Sequence, residues 1–213
     1  MRTDDLIEML AAAQRPQSRG ASWAAVTAGA ASGLLAAFLL AAATLGVRPD
    51  LIASLGNPAV LLKLGFAAIV LLAAGTAAGR LSLPGKGWGR AGLVLALASA
   101  AVALWALVDL AGRPVAEWGP CIVGRDWLMC LLAVPSLSLP AMLAIGAGMR
   151  RLAPTRLELA GTLMGLASGG AGALAFSLYC QDDTVPFVAV WYGLALGASA
   201  LLGRVLGPWL LRW

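Results

Sequence analysis

Histidine is absent from all 213 residues. That removes imidazole metal ligands and every Ser–His or Cys–His nucleophile pair. Charge is scarce as well, since Asp, Glu, Lys and Arg make up 12% of the chain, against about a quarter in a soluble domain. Acid–base enzymology therefore has few groups to draw on, and the chain is not expected to be an enzyme. The three cysteines, Cys121, Cys130 and Cys180, include no C-x-x-C, so their spacing does not support a thioredoxin-like or quinone-coupled exchange site. Neither a cofactor nor a metal site is assigned from these residues.

What is abundant is apolar: 61% of the residues are hydrophobic and the mean hydropathy is +0.87, the composition of an integral membrane protein. The net charge of +5 does not imply direct nucleic-acid binding. The basic residues sit between apolar runs, where an anionic lipid leaflet is their neighbour, and no nucleic-acid motif accompanies them.

A hydrocarbon core of ~30 Å needs about 20 apolar helical residues. Six runs of that kind are bounded by Pro, Gly or charge: Ser22 to Gly46, Pro58 to Gly79, Trp88 to Leu110, Trp127 to Met149, Leu157 to Leu178, and Val185 to Leu206. Short turn-rich connections such as GRLSLPGKG and RRLAPTR separate them, and none is long enough for another domain. Ala41 and Ala43 give the first run an A-x-A pattern, but it is too long for a secretory h-region and reads as a retained helix. With the N-terminus inside, the inner segments hold 11 of the 15 basic residues and the outer side takes six of the ten acids. The positive-inside rule then puts both termini in the cytoplasm. The expected fold is an all-α bundle of six transmembrane helices, N-in and C-in, with a short cytoplasmic helix in front.

Small residues four apart let membrane helices approach closely. Gly29 and Gly33, Gly75 and Gly79, Gly193 and Gly197, and the stripe of Gly161, Gly165 and Gly169 all fit. They serve either packing within one chain or a homodimer face. A charge inside the bilayer costs roughly 3 kcal/mol or more and often marks a transport path. Only Lys63 and Asp109 qualify, both near the outer ends of their runs, where Lys63 can snorkel and Asp109 can meet water or pair with it. A small-molecule or ion transporter would place polar groups or broken helices near the midplane, and neither is evident.

All three cysteines fall on or near the outer side, which in a Gram-negative cell is the oxidising periplasm. Cys130 opens the fourth run and Cys180 follows the fifth. A short inner loop joins these runs, so antiparallel packing brings the two outer ends to similar depth. Two readings stay open: a sensing or disulfide pair, or two small hydrophobes in a core. A membrane thiol oxidoreductase would also use these cysteines, but it would need a redox-active pair or a quinone site.

The opening stretch MRTDDLIEMLAAAQRP has its own logic. Thr3 is a good N-cap, Asp4 and Asp5 suit the positive end of the helix dipole, and Pro16 is a stop. Leu6, Ile7 and Leu10 form an apolar stripe with Ala11 and Ala13 beside it. A helix this short is marginal alone in water and orders on a partner. The alternative, a helix lying on the membrane, matches Asp4, Asp5 and Glu8 poorly to an anionic leaflet.

TDDLI near the N-terminus, WLMCLLAVPSLSLP, RRLAPTRLELAG, LYCQDDTVPFVAVWYG and the terminal LLRW together resemble the six-span membrane anti-sigma factors of the NrsF type, and the resemblance covers nearly the whole chain. It implies an extracytoplasmic-function sigma factor as partner, held at the bacterial inner membrane until stress releases it. It implies residues 1–20 as a cytoplasmic sigma-binding segment, with Thr3, Asp4, Asp5, Leu6, Ile7 and Leu10 in contact, and residues 21–213 as the transmembrane domain. It also implies that Cys130 and Cys180, which occupy the matching positions, perceive the signal.

Overall fold

The computed structural model describes residues 19–83, 87–152 and 154–212. Eight helical elements fill them, and six are long and apolar enough to cross a membrane. In chain order they are α1 (Arg19–Thr44), the short α2 (Leu51–Ser54), α3 (Pro58–Leu81), α4 (Ala91–Ala111), α5 (Val115–Val123), α6 (Trp127–Arg150), α7 (Leu157–Phe176) and α8 (Val185–Leu210). No strand occurs among the described residues. The six expected runs correspond to α1, α3, α4, α6, α7 and α8, with ends displaced by a few residues. The two short helices α2 and α5 lie inside expected loops. The helix expected over the first 16 residues lies outside the described residues.

Local chemistry sets several ends. Asn57 caps α3 by accepting the Ala59 N–H on its side-chain oxygen at 3.0 Å, with Pro58 at the first helical position. α8 is not one regular helix. After Val185–Phe187 it widens into a π-turn over Val188–Tyr192 before resuming at Gly193, a distortion that often marks a functional site.

α7 is the centre of the bundle, packed on α1, α3, α6 and α8. It can be central because its small side chains admit a neighbour's backbone on several sides. A Cβ on Gly165 would stand 2.8 Å from Gly203 Cα, and one on Gly161 would stand 2.7 Å from Gly207 Cα. On other faces, Gly170 meets the Leu71 backbone of α3 and Gly172 the Ser138 backbone of α6. The second close pair is α1 with α6, where Gly29 and Gly33 abut Ala144 and Ala141. Gly79 abuts the Trp23 ring. Gly193 and Gly197 behave differently: nothing lies within 4 Å of a Cβ placed on either, so that stripe does not pack within the chain.

α4 is the rim helix, resting on α3 and the first turns of α8. It buries only Ala91, Val102 and Ala106, and leaves Leu93, Leu97, Leu104 and Leu107 exposed. In lipid such a face costs nothing, since acyl tails are as apolar as leucine.

Candidate functional site

One end of the bundle is closed by the α7–α8 connection, residues 177–184, SLYCQDDT. Its first residues keep winding after α7 ends, with the Tyr179 and Cys180 N–H groups both donating to the Phe176 carbonyl at 3.0 Å. That winding turns the Cys180 side chain inward. Cys130, in the first turn of α6, comes from the other side, and both are fully buried thiols. They share one apolar cluster with Phe176, Phe187, Val188 and Tyr192. The Tyr192 hydroxyl lies beside the two sulfurs, with the Cys180 thiol as its weak polar neighbour, and makes no well-formed hydrogen bond. A thiol is a weak hydrogen-bond partner, so the hydroxyl is incompletely satisfied in this pocket. Tyr192 is the last residue of the π-turn.

The backbone of the same loop is held by charge. Lys63 of α3, fully buried, donates to the Asp183 carboxylate at 2.8 Å, the Cys180 carbonyl at 3.1 Å and the Asp182 carbonyl at 3.4 Å. Arg48, between α1 and α2, reaches Asp183 at 2.9 Å and the Cys180 carbonyl at 3.1 Å, and also holds Asp50 at 2.9 Å. Its own N–H donates to the Leu178 carbonyl at 2.9 Å. Asp183 thus bridges two buried cations, and both cations grip the carbonyl of Cys180. The carboxylates raise the Arg48 pKa still further, Asp50 first and Asp183 next, and Arg48 in turn holds Asp50 below the usual carboxylate range.

A third set of bonds ties the loop to α5 and α6. The Asp182 carboxylate accepts the Arg125 and Asp126 N–H groups at 2.8 and 2.7 Å. Gly124 makes this approach feasible: its φ is +62°, and a Cβ there would lie 2.7 Å from that same carboxylate oxygen and 2.6 Å from the Phe187 ring. Thr184 donates to the Cys121 carbonyl and Trp191 to the Ile122 carbonyl, both at 2.8 Å, and Trp191 packs on Trp127 with ring centroids 5.0 Å apart.

The chemistry follows from this geometry. Burial pushes the Cys180 thiol up to about 11 against an ordinary 9.0, with Lys63 pulling the other way. At neutral pH it is a protonated thiol, closed to reagents until the loop lifts. Its carbonyl is fixed to α3 and the α1–α2 connection while its sulfur sits in the core, so one residue joins the two parts of the site. The buried charges gather at this one end, which speaks against a transport path through the midplane.

The match to known proteins covers the chain from end to end. Residues 10–213 match the family NrsF, described as negative regulator of sigma F. The chain is 38% identical over 215 residues to the anti-sigma-F factor NrsF of Caulobacter vibrioides, and 38% identical over 221 residues to the probable anti-sigma-F factor NrsF of Azospira oryzae, with the full length of both proteins covered in each case. The chain belongs to the NrsF family. No solved structure matches it. As a member of that family it is a membrane-spanning anti-sigma factor, with a sigma factor for partner.

Within this NrsF-family bundle, the two cysteines singled out by sequence do come together. Cys121 stays apart, half-buried on α5, and enters the network through its carbonyl. Lys63 does not snorkel and does not pair with Asp109. It is bound to Asp183, while Asp109 takes Arg113 one turn away at 3.0 Å. Sequence reading gave Arg48 no part in the site, and named Asp183 beside the cysteines and Tyr192 in the stretch LYCQDDTVPFVAVWYG without assigning either a role. A lysine within an apolar run and a pair of aspartates after a cysteine were the available signals, but they lie about 120 residues apart in sequence. Thr3, Asp4, Asp5, Leu6, Ile7 and Leu10 lie outside the described residues.

Proposed function

We propose that this anti-sigma factor holds an extracytoplasmic-function sigma factor at the bacterial inner membrane and releases it when a periplasmic stress changes the bonding of Cys130 and Cys180. Residues 1–20 are the cytoplasmic sigma-binding segment. Leu6, Ile7 and Leu10 supply an apolar stripe for a groove on the sigma factor, Asp4 and Asp5 face its basic residues, and Thr3 caps the helix. The excess of Arg and Lys in alternate connections supports cytoplasmic termini and puts the cysteine end of the bundle in the periplasm.

The observation that carries the reading is the double attachment of Cys180. Its sulfur lies in a dry pocket with Cys130 and Tyr192, and its carbonyl is gripped by Lys63 and Arg48. Two thiols switch either by losing two electrons and two protons to an external oxidant to form a disulfide, or by exchanging their protons for a thiophilic cation. Either event shifts the bundle only in so far as it favours one arrangement over the other. A strap bonded to the two other connections at this end and to α3 supplies that difference. The glycine-lined contacts of α7 with α8 offer a surface on which helices slide with few large side chains to repack.

The test is co-purification of the sigma factor from membranes of unstressed and stressed cells. The wild type should retain it until oxidant or thiophilic cation is added. Leu6→Glu with Leu10→Glu should lose it always, and Cys130→Ser with Cys180→Ser should retain it under stress. Retention by the double-leucine variant would remove the N-terminal contact from this account. Normal release by the double-cysteine variant would remove the sensor.

A further inference from the structure

The opposite end of the bundle carries a groove that the cysteine site does not use. Between α1, α3 and α4 it encloses about 800 Å³, with Trp23, Thr76, Arg80, Trp88 and Arg90 on its walls. Trp23, Leu72 and Thr76 also line a second cleft of about 270 Å³. This cleft runs up between α1 and α3 past Val26, Ala30, Leu34 and Gly75. It exists because α1 packs mainly on α6 and α7 and only lightly on α3, and because the facing residues are small. The groove opens sideways: Ile69 and Leu72 on its rim are 41% and 66% exposed, towards what is acyl chain in a membrane.

The mouth is basic and held open. Arg80 donates from Nε to the Gly87 carbonyl at 3.3 Å, and its guanidinium lies flat on Gly89, where a Cβ would stand 3.0 Å from Nε and Cζ. Gly89 has a φ of +66°, so a residue with no side chain is favoured there twice over. Among the described residues no carboxylate pairs with Arg80 or Arg90. Two cations, two tryptophans of the kind that settle at headgroup depth, and an apolar slot leading inward make one continuous surface.

We propose that this groove is a binding site for one anionic phospholipid, its phosphate on Arg80 and Arg90 and an acyl chain in the cleft between α1 and α3. Charge complementarity selects the anionic headgroup, because a zwitterionic one brings its own cation into the mouth. The apolar slot selects a lipid over a free phosphate, which would leave that slot unused. The site is independent of the cysteine reading, being built at the other end of the bundle from residues that the cysteine site does not use. It would make the packing of α1 responsive to lipid composition. An attraction of about fivefold for each arginine near a headgroup gives a preference of about thirtyfold for two.

Lipid titration into the full-length protein in phosphatidylcholine nanodiscs, followed by native mass spectrometry, tests this. Wild type should retain one phosphatidylglycerol with about thirtyfold preference over phosphatidylcholine. Arg80→Gln with Arg90→Gln should lose the preference. Both residues are exposed, so the fold tolerates the change. Gly75→Leu, which keeps both arginines but fills the slot, should weaken retention of either lipid. Equal retention of the two lipids by the wild type, or an undiminished preference in the double variant, overturns the proposal. So does displacement of the lipid by inorganic phosphate or by glycerophosphoglycerol at concentrations matching its own, which would make this a phosphate site.

Discussion

Replacing Asp183 by Asn removes one charge and strands another, the ammonium of Lys63. Lys63 has no exposed side-chain surface and Arg48 has 4%. Arg48 keeps Asp50 at 2.9 Å, but Lys63 is left with uncharged oxygens alone, the carbonyls of Cys180 and Asp182 and the new amide. Breaking a buried pair from one side costs about 3–5 kcal/mol, because the remaining charge has already given up its water. Lys63→Met is the opposite case. It removes the buried ammonium itself and leaves Asp183 bound to Arg48 through two N–H groups, so its cost should be under ~2 kcal/mol. The double variant should recover much of the Asp183→Asn loss, a coupling readable in a double-mutant cycle. The assay is maleimide labelling of the buried thiols in purified protein, where reaction requires the 177–184 strap to lift. A loss of ~3 kcal/mol confined to the strap speeds labelling by roughly 150-fold, at about 1.4 kcal/mol per factor of ten. Labelling of Asp183→Asn at the wild-type rate, or slower than Lys63→Met, would refute the claim that this carboxylate holds the strap down.

Three further outcomes are expected. Gly165→Val should destabilise the α7–α8 contact by at least about 1–3 kcal/mol, because its Cβ would meet Gly203 Cα at 2.8 Å, whereas Gly197→Val, with open space around it, should leave the thermal midpoint in detergent unchanged; similar midpoints for both would contradict the packing described. Since the Cys180 thiol ionises near 11 when folded and near 9.0 when exposed, the unfolded chain binds fewer protons in that interval, so stability falls as pH rises from about 9 to 11 and is unaffected by this group below it. Cys180→Ser should flatten that part of the midpoint-versus-pH curve, and parallel curves would dismiss the effect. Reporter fusions after Leu83 and Arg151 should read cytoplasmic and those after Asp50, Glu117 and Asp182 periplasmic; a cytoplasmic signal at Asp182 inverts the orientation and removes the cysteines from the periplasm.

The six spans were legible from sequence because the bilayer imposes a length, and runs of about 20 apolar residues between turn residues are a one-dimensional signal. The meeting of Cys130 and Cys180 was legible for a related reason: a short connection forces α6 and α7 antiparallel, so residues near the two far ends come to one level. Which glycine stripe faces a neighbour was not legible. Gly161 and Gly165 press on α8 while Gly193 and Gly197 face open space, yet both have the same spacing, since periodicity gives a face but not its direction when lipid and protein are equally apolar. Nor could sequence assign partners to the buried charges. Lys63 and Asp183 are 120 residues apart, and only the folding of α3 beneath the α7–α8 connection brings them together. Tyr192 ends a π-turn, a local departure from helical period that no residue pattern announced. Length and polarity act along the chain and can be read there. Pairing and facing are decided by which surfaces the packed bundle leaves without water.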